Sequence, residues 1–469
     1  MLPAGTPDFA CRRPRPREHG TIFIRSSDCY TTAIAVSAGP LGPCVLEHFR
    51  LPRCQCRQGM TAHSMLEEKR LTWTEIHLDA LRALAALLVV FGHARGLFFA
   101  ASFTGGPAAQ IAIQSTAAET VPQIAWIPTA PGITIGHAAV MIFFVLSGYL
   151  VGGSVLKSIA SGTWSWRIYL TKRLVRLWLV LIPAVIIGLC IDSIGYHFLA
   201  WPGSLYSCPP GQEYALNWYF TGANDIKTAL GNILFLQGLL VPLAGTNLAL
   251  WSLSLEFWYY LLFPMIVLAA RSDTSMMARI LCAFGIIAIL LLIGLHGSYL
   301  FLIWVLGAAL AIVPRRIPVR LAPWAVLMAA GLLACFSAAA KKLALNYHAG
   351  EMLVALASAL LVYAIRCHAT IGIRSIYSGA SHFFSKISYT LYLTHLPFVI
   401  FLTNLVNSPW SLSPPTPIVL GKFAIVIAAA ILWSYALYLM FEAKTDSVRA
   451  AVASMITRVS GDRDAKQTT

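Results

Sequence analysis

The chain has 469 residues, 58% of them hydrophobic and only 11% charged, and its 34 Lys and Arg outnumber its 19 Asp and Glu for a formal net charge of +15. A soluble domain carries about 25% charged residues, so an ordinary cytosolic protein is excluded. The 13 Trp and 23 Phe demand burial and exclude a disordered chain, while ten cysteines over this length make no disulfide framework. What remains is an all-α, polytopic membrane bundle, in which excess Lys and Arg mark the loops on one side of the bilayer. No nucleic-acid-binding motif is present, so no nucleic-acid partner is expected.

Residues 1–64 differ from the rest, with Arg12, Arg13, Arg15, Arg17, Arg50, Arg53 and Arg57 among scattered prolines and five of the cysteines. They hold neither a signal-peptide core nor a periodic pattern, and read as a disordered extension or a mis-assigned start upstream of Met65. Cys54, Cys56 and His63 match no strong ligand spacing, and no metal site is read from the sequence.

From residue 78 onward, apolar stretches of bilayer length recur near 78–100, 137–156, 174–194, 249–270, 280–296, 299–313, 322–340, 350–366, 387–405 and 418–440. The stretch 229–244 is short and broken by Gly231, Asn232, Gln237, Gly238 and Pro242, so it reads as interfacial or re-entrant. Charge supports skipping it. Ten spans with both termini cytoplasmic place Lys157, Arg167, Lys172, Arg173, Arg271, Arg279, Arg315, Arg316, Arg320, Arg366, Arg374, Lys386 and the basic tail inside, and leave only Lys227, Lys341 and Lys342 outside. An eleventh span would invert every later cluster against the positive-inside rule. The transmembrane domain is read over 65–445, followed by a cytoplasmic tail at 446–469.

Ionisable residues within such a bundle are the functional candidates. The first span carries Arg82 and His93 eleven positions apart. At 100° and 1.5 Å per residue they share a face to within about 20° and lie about 16 Å apart in depth, with Ala86 and Val89 between them. The purely structural alternative is a snorkelling Arg and a satisfied buried His. In the second span, Ser147, Gly148 and Tyr149 interrupt FFVLSGYL, where small residues permit close helix packing. Arg173 and Arg176 share a helix face at the membrane boundary, suited either to phosphate binding or to simple anchoring. The segment WSLSLEFWYY places Glu256 near Ser252 and Ser254, and its carboxylate needs a partner, with a His or Arg of another span the obvious candidate. In KISYTLYLTHLP, Ser388, Tyr392 and His395 share a face.

These segments in this order, including Asp79 ahead of Arg82 and His93, resemble the acyltransferase 3 family of integral membrane acyltransferases, the group that contains bacterial O-antigen and exopolysaccharide O-acetylases. The resemblance covers about residues 75–445. It implies transfer of an acyl group, usually acetyl, from cytoplasmic acyl-CoA to a hydroxyl, usually of a glycan, in the bacterial inner (plasma) membrane. Acyl-CoA is then a co-substrate, with no bound cofactor. The essential His and Arg of the family carry over to His93 and Arg82, and its acidic residue to Glu256.

The expected mechanism has His93 as general base, Glu256 orienting it, and Arg82, Arg173 and Arg176 holding the CoA phosphates. The pantetheine arm would run up the Ala86 face, with Asp79, Ser252, Ser254, Tyr392 and His395 in support. His93 as a covalent acyl carrier is the rival version. A transporter or flippase for a glycan or anionic substrate is the alternative function.

Overall fold

The computed structural model describes residues 21–22, 34–35, 72–99, 134–207, 222–342, 347–373 and 375–455. The chain divides into two units, Met1–Lys69 and Arg70–Thr469. In the first, the described residues are two dipeptide strands, β1 (Thr21–Ile22) and β2 (Ile34–Ala35), paired antiparallel. Cys54, Cys56 and His63 lie outside the described residues.

The second unit is helical: α1 (Trp73–Phe98), α2 (Ile135–Ala160), α3 (Trp166–Phe198), α4 (Ile226–Ile233), α5 (Leu250–Ala270), α6 (Met276–Ala309), α7 (Ala322–Lys342), α8 (Tyr347–Cys367), α9 (Ile376–Val406) and α10 (Pro417–Met440). Among the described residues nine of these, all but α4, are long and apolar enough to cross a bilayer. Polar caps set where they start. The Thr72 hydroxyl accepts from the Glu75 amide while the Glu75 carboxylate accepts from the Thr72 amide at 2.8 Å, and Ser165, Ser275, Ser375 and Thr416 cap α3, α6, α9 and α10.

Helix α6 contains two of the expected spans. Gly294 has φ 66° and ψ −172°, a conformation that only glycine adopts readily. Before it, α6 runs antiparallel to α5: Arg279 donates to the Ala269 carbonyl, and Gly285 meets Met265. After it, α6 runs parallel to α5: Tyr259 donates to the Gly297 carbonyl and the Phe263 ring lies 5.0 Å from that of Trp304. The chain therefore reverses at Gly294. The two arms are about 27 Å and 22 Å long at 1.5 Å per residue, which makes ten helical passes among the described residues.

The broken stretch after α4 is not a span. Past α4 the chain is non-helical to α5, with Gln237, Thr246 and Asn247 buried. Its polar groups are held by protein: Trp178 and Trp258 donate to the Ile233 and Phe235 carbonyls, and Asn247 to that of Leu393. Irregular backbone inside a membrane bundle survives only when its partners are built in this way.

At the centre, α1 packs against α9 and α2, and α2 against α6. A π-helical turn at Gly148–Gly152 brings α2 against α6 so closely that a Cβ on Gly148 would lie 1.8 Å from the Trp304 carbonyl oxygen. One on Gly307 would lie 2.0 Å from that of Val145. The small residues read in the second span thus serve packing. Large apolar side chains face outward on α6 and α7, among them Leu295, Leu291, Phe284 and Trp324, as lipid-facing surfaces require. The protein is a multi-pass membrane protein.

Candidate active site

A cavity of about 940 Å³, counting the space at its open mouth, lies between α1, α2, α3, α5 and α9. Arg82, Arg173 and Arg176 all line it, so the α1 and α3 cations read separately from the sequence converge on one site. Each is held differently. Arg82 donates to Asp79 at 3.2 Å and to Ser385 at 3.0 Å, and the Ser385 hydroxyl donates to the same Asp79 oxygen at 2.8 Å, closing a triangle between α1 and α9. Arg173 donates to Ser154 at 3.2 Å and lies over the rings of Tyr169 and Tyr260, at 5.6 and 5.7 Å. Its Nε is buried without a hydrogen-bond partner. Arg176 is exposed, one turn further along α3. Glu442 interacts electrostatically with Arg82 and Arg176 and accepts a hydrogen bond from Thr390 at 2.6 Å.

Glu256 also lines the cavity, but with partners other than those expected. Its Oε1 accepts from the Ser147 hydroxyl at 2.8 Å and from the Tyr260 hydroxyl at 2.5 Å, in place of the anticipated His or Arg. Trp304 donates to Ser147 at 3.1 Å, tying this network to the α2–α6 contact. Both hydroxyls donate to the same carboxylate oxygen, and hydrogen bonds to an ionised acceptor are the strong ones. The hydrogen bonds of Glu256 thus run to two hydroxyls along the cavity wall.

Ser252, Ser388 and Tyr392 line the same cavity. The Ser252 and Tyr392 hydroxyls are hydrogen-bonded at 2.6 Å, and the Tyr392 ring meets that of Phe143 edge-on at 5.5 Å. Neither His395 nor His93 is part of the lining. The His395 ring lies 6.5 Å from that of Tyr392 and 5.4 Å from that of His93, so a histidine pair neighbours the cavity-lining Tyr392. His395 is fully buried, and its Nδ1 faces the Leu391 and Tyr392 carbonyls at 2.9 and 3.0 Å. Carbonyls only accept, so the proton is assigned to Nδ1 and the lone pair of the neutral ring to Nε2, which has no hydrogen-bond partner. Ser254 is buried and away from the cavity wall.

The Ala86 face of α1 is closed. Ala86 and Val89 are 0% and 2% exposed, packed among neighbouring helices. The open path runs instead along α2 and α5, past Phe143, Ser147, Leu150 and Glu256. Several lining or supporting residues were not singled out in the sequence: Tyr260, Ser385, Tyr389 and Glu442. Tyr260 had a visible signal, one helical turn beyond Glu256.

The family model described as an acyltransferase domain, Acyl_transf_3, matches residues 75–439. The chain belongs to the acyltransferase 3 family. No curated protein and no solved structure matches it. Membership makes the protein a membrane acyltransferase, and the match spans every helix that contributes to the cavity.

Proposed function

We propose that this acyltransferase takes an acyl group, acetyl foremost, from cytoplasmic acyl-CoA and delivers it to a hydroxyl of a glycan or another envelope or secreted acceptor. Its setting would be the bacterial plasma membrane, with both termini cytoplasmic. The observation that carries this reading is the convergence of Arg82, Arg173 and Arg176 on one cavity. Guanidiniums bind phosphate oxygens in bidentate fashion and stay charged, which suits the several phosphates of a CoA-type donor. A smaller monovalent substrate would not need three of them.

In the proposed reaction the phosphates rest at the arginine end and the pantetheine arm extends past Ser147 and Glu256 toward Tyr392. A sugar hydroxyl is a weak nucleophile and needs a base within hydrogen-bond reach. His93 serves as that base: it accepts the hydroxyl proton as the oxygen attacks the thioester carbonyl. The C–S bond then breaks, and the imidazolium returns the proton to the departing thiolate. Displacement of the Tyr392 ring opens the cavity to the histidines. His395, with Nδ1 held by backbone carbonyls, positions His93 across the ring pair. Asp79 and Ser385 hold Arg82 in place, Ser252 holds Tyr392, and Glu256 orders Ser147 and Tyr260 along the path of the arm.

The test is reconstitution of the purified protein in nanodiscs with radiolabelled acetyl-CoA and a pool of cell-envelope glycans. Label on a glycan, in alkali-labile ester linkage, is the expected result. If the protein binds no acyl-CoA and moves no label from any acyl donor, the reading is wrong and translocation of an anionic substrate through the same cavity takes its place.

A further inference from the structure

At the opposite end of the bundle from the arginines, three helices bring histidines around one buried carboxylate. The polarity follows from α1 and α2: the end of α1 beyond Arg82 packs against the start of α2, where Gly92 meets Gly136. His137 stands at that start, in the first turn of α2. His296 lies two residues past the Gly294 reversal, and His348 and Glu351 lie in the first turns of α8. The Glu351 carboxylate is 0% exposed. One of its oxygens meets His137 Nε2 at 2.7 Å and the other meets His348 Nδ1 at 3.1 Å. His296, His348 and Glu351 each offer a ligand atom, and these atoms all lie within 4.8 Å of one another.

We propose that His296, His348 and Glu351 form a binding site for a divalent first-row metal ion, zinc foremost, with His137 as the outer partner of the carboxylate. The donor chemistry supports this. Two imidazoles and a carboxylate are the borderline nitrogen and oxygen set that Zn²⁺ takes, with three protein ligands and one position left to water. His348 and Glu351 are spaced i, i+3, which puts both side chains on one helix face. Ligand bonds of about 2.0–2.2 Å in a tetrahedron need donor separations of about 3.3 Å, so the present arrangement closes on an ion with shifts of about 1 Å.

Charge and hydrogen bonding point the same way. A fully buried carboxylate requires compensation, and among the described residues the groups that pair with this one are imidazoles rather than Lys or Arg. A divalent cation balances it with all the imidazoles neutral. A ligating carboxylate is ordinarily hydrogen-bonded on its free oxygen, and His137 occupies that place. His137 is itself stacked on Trp251, with ring centroids 5.8 Å apart and planes 3° from parallel. The Tyr299 hydroxyl donates to the His348 carbonyl at 2.5 Å, fixing the start of α8 against the second arm of α6. Entry is open, since the His348 side chain is 42% exposed. The bound ion would clamp the Gly294 hairpin to α8 and, through His137 and Trp251, to the start of α5 beside the Ser252 wall of the acyl cavity.

The test uses the purified full-length chain in detergent, stripped with a chelator and dialysed against Zn²⁺ alone, with bound metal measured by mass spectrometry. One equivalent per chain is expected, with at least a tenfold loss of affinity in Glu351→Gln and in His296→Ala. His296→Ala covers the case in which Glu351→Gln fails to fold. His77→Ala, a histidine variant at the other end of α1, keeps wild-type uptake. Co²⁺ in place of Zn²⁺ should give the intense visible absorption of a tetrahedral site, which a protonated-histidine ion pair cannot produce. Uptake well below one equivalent, or uptake unchanged in both variants, overturns the proposal.

Discussion

The imidazoles of His93 on α1 and His395 on α9 lie 5.4 Å apart, centroid to centroid, at 38° to one another. The second ring is buried and clamped through Nδ1, so it has little freedom to turn. The proposed reaction uses the two rings as a unit. His93→Ala is expected to lower kcat about 10²- to 10⁴-fold, the usual range for a lost general base. His395→Ala should lower it as well, and the double variant should be no worse than the more damaged single one. Additive losses in a steady-state double-mutant cycle would separate the two rings functionally.

Arg173 and Arg176 make a different kind of contribution. If they hold the donor's phosphates, Arg173→Lys and Arg176→Ala should raise KM for acyl-CoA about tenfold or more and leave kcat nearly unchanged, because a single-point ammonium cannot replace a bidentate fork. The wild-type KM should rise with salt, more so for the exposed Arg176. Initial-rate measurements at several salt concentrations check both.

The hydroxyls on Glu256 give a third expectation. Ser147→Ala and Tyr260→Phe each remove one donor to a carboxylate at 2.8 and 2.5 Å. A hydrogen bond to a charged group contributes about 1.5–3 kcal/mol, so each variant should lose about 10- to 100-fold in kcat/KM while the protein stays folded. Circular dichroism with the kinetics separates that loss from misfolding.

Close packing at the π-helical turn is testable without any assay of activity. Gly148→Ala drives a Cβ toward the Trp304 carbonyl and should destabilise the bundle by about 1–3 kcal/mol, seen as a lower thermal midpoint in detergent. Gly421→Ala on α10 has nothing within 4 Å of the added carbon and should leave the midpoint in place or raise it.

Much of this arrangement was legible in the sequence, and the losses have physical causes. Apolar length found the passes and separated the two arms of α6, but it set the starts of α1, α3 and α9 too late. Thr72, Ser165 and Ser375 cap those helices in polar sequence that a hydropathy window passes over. Arg82, Arg173, Arg176 and Glu256 stood out because a charge in an apolar helix is costly and therefore rare. Their partners did not. Ser147 is 109 positions from Glu256 and Ser385 is 303 from Arg82, and no local period connects them. Helical geometry also showed correctly that Ala86 and Val89 lie on the face between Arg82 and His93, but not whether that face meets a void or another helix; it meets helices. The cluster of His137, His296, His348 and Glu351 escaped notice for the same reason, since only the Gly294 reversal and the α2–α8 contact bring it together.

The most direct test of the account is a rapid-quench single turnover of the purified protein with radiolabelled acetyl-CoA and an acceptor glycan, wild type beside His93→Ala. The account predicts thioester cleavage and acetyl-glycan appearing together in wild type, with no acetyl-protein adduct. In His93→Ala, acetyl-CoA should still bind but go uncleaved. Wild-type rates in His93→Ala would contradict it, and label trapped on the protein before it reaches the glycan would replace the base with an acyl carrier.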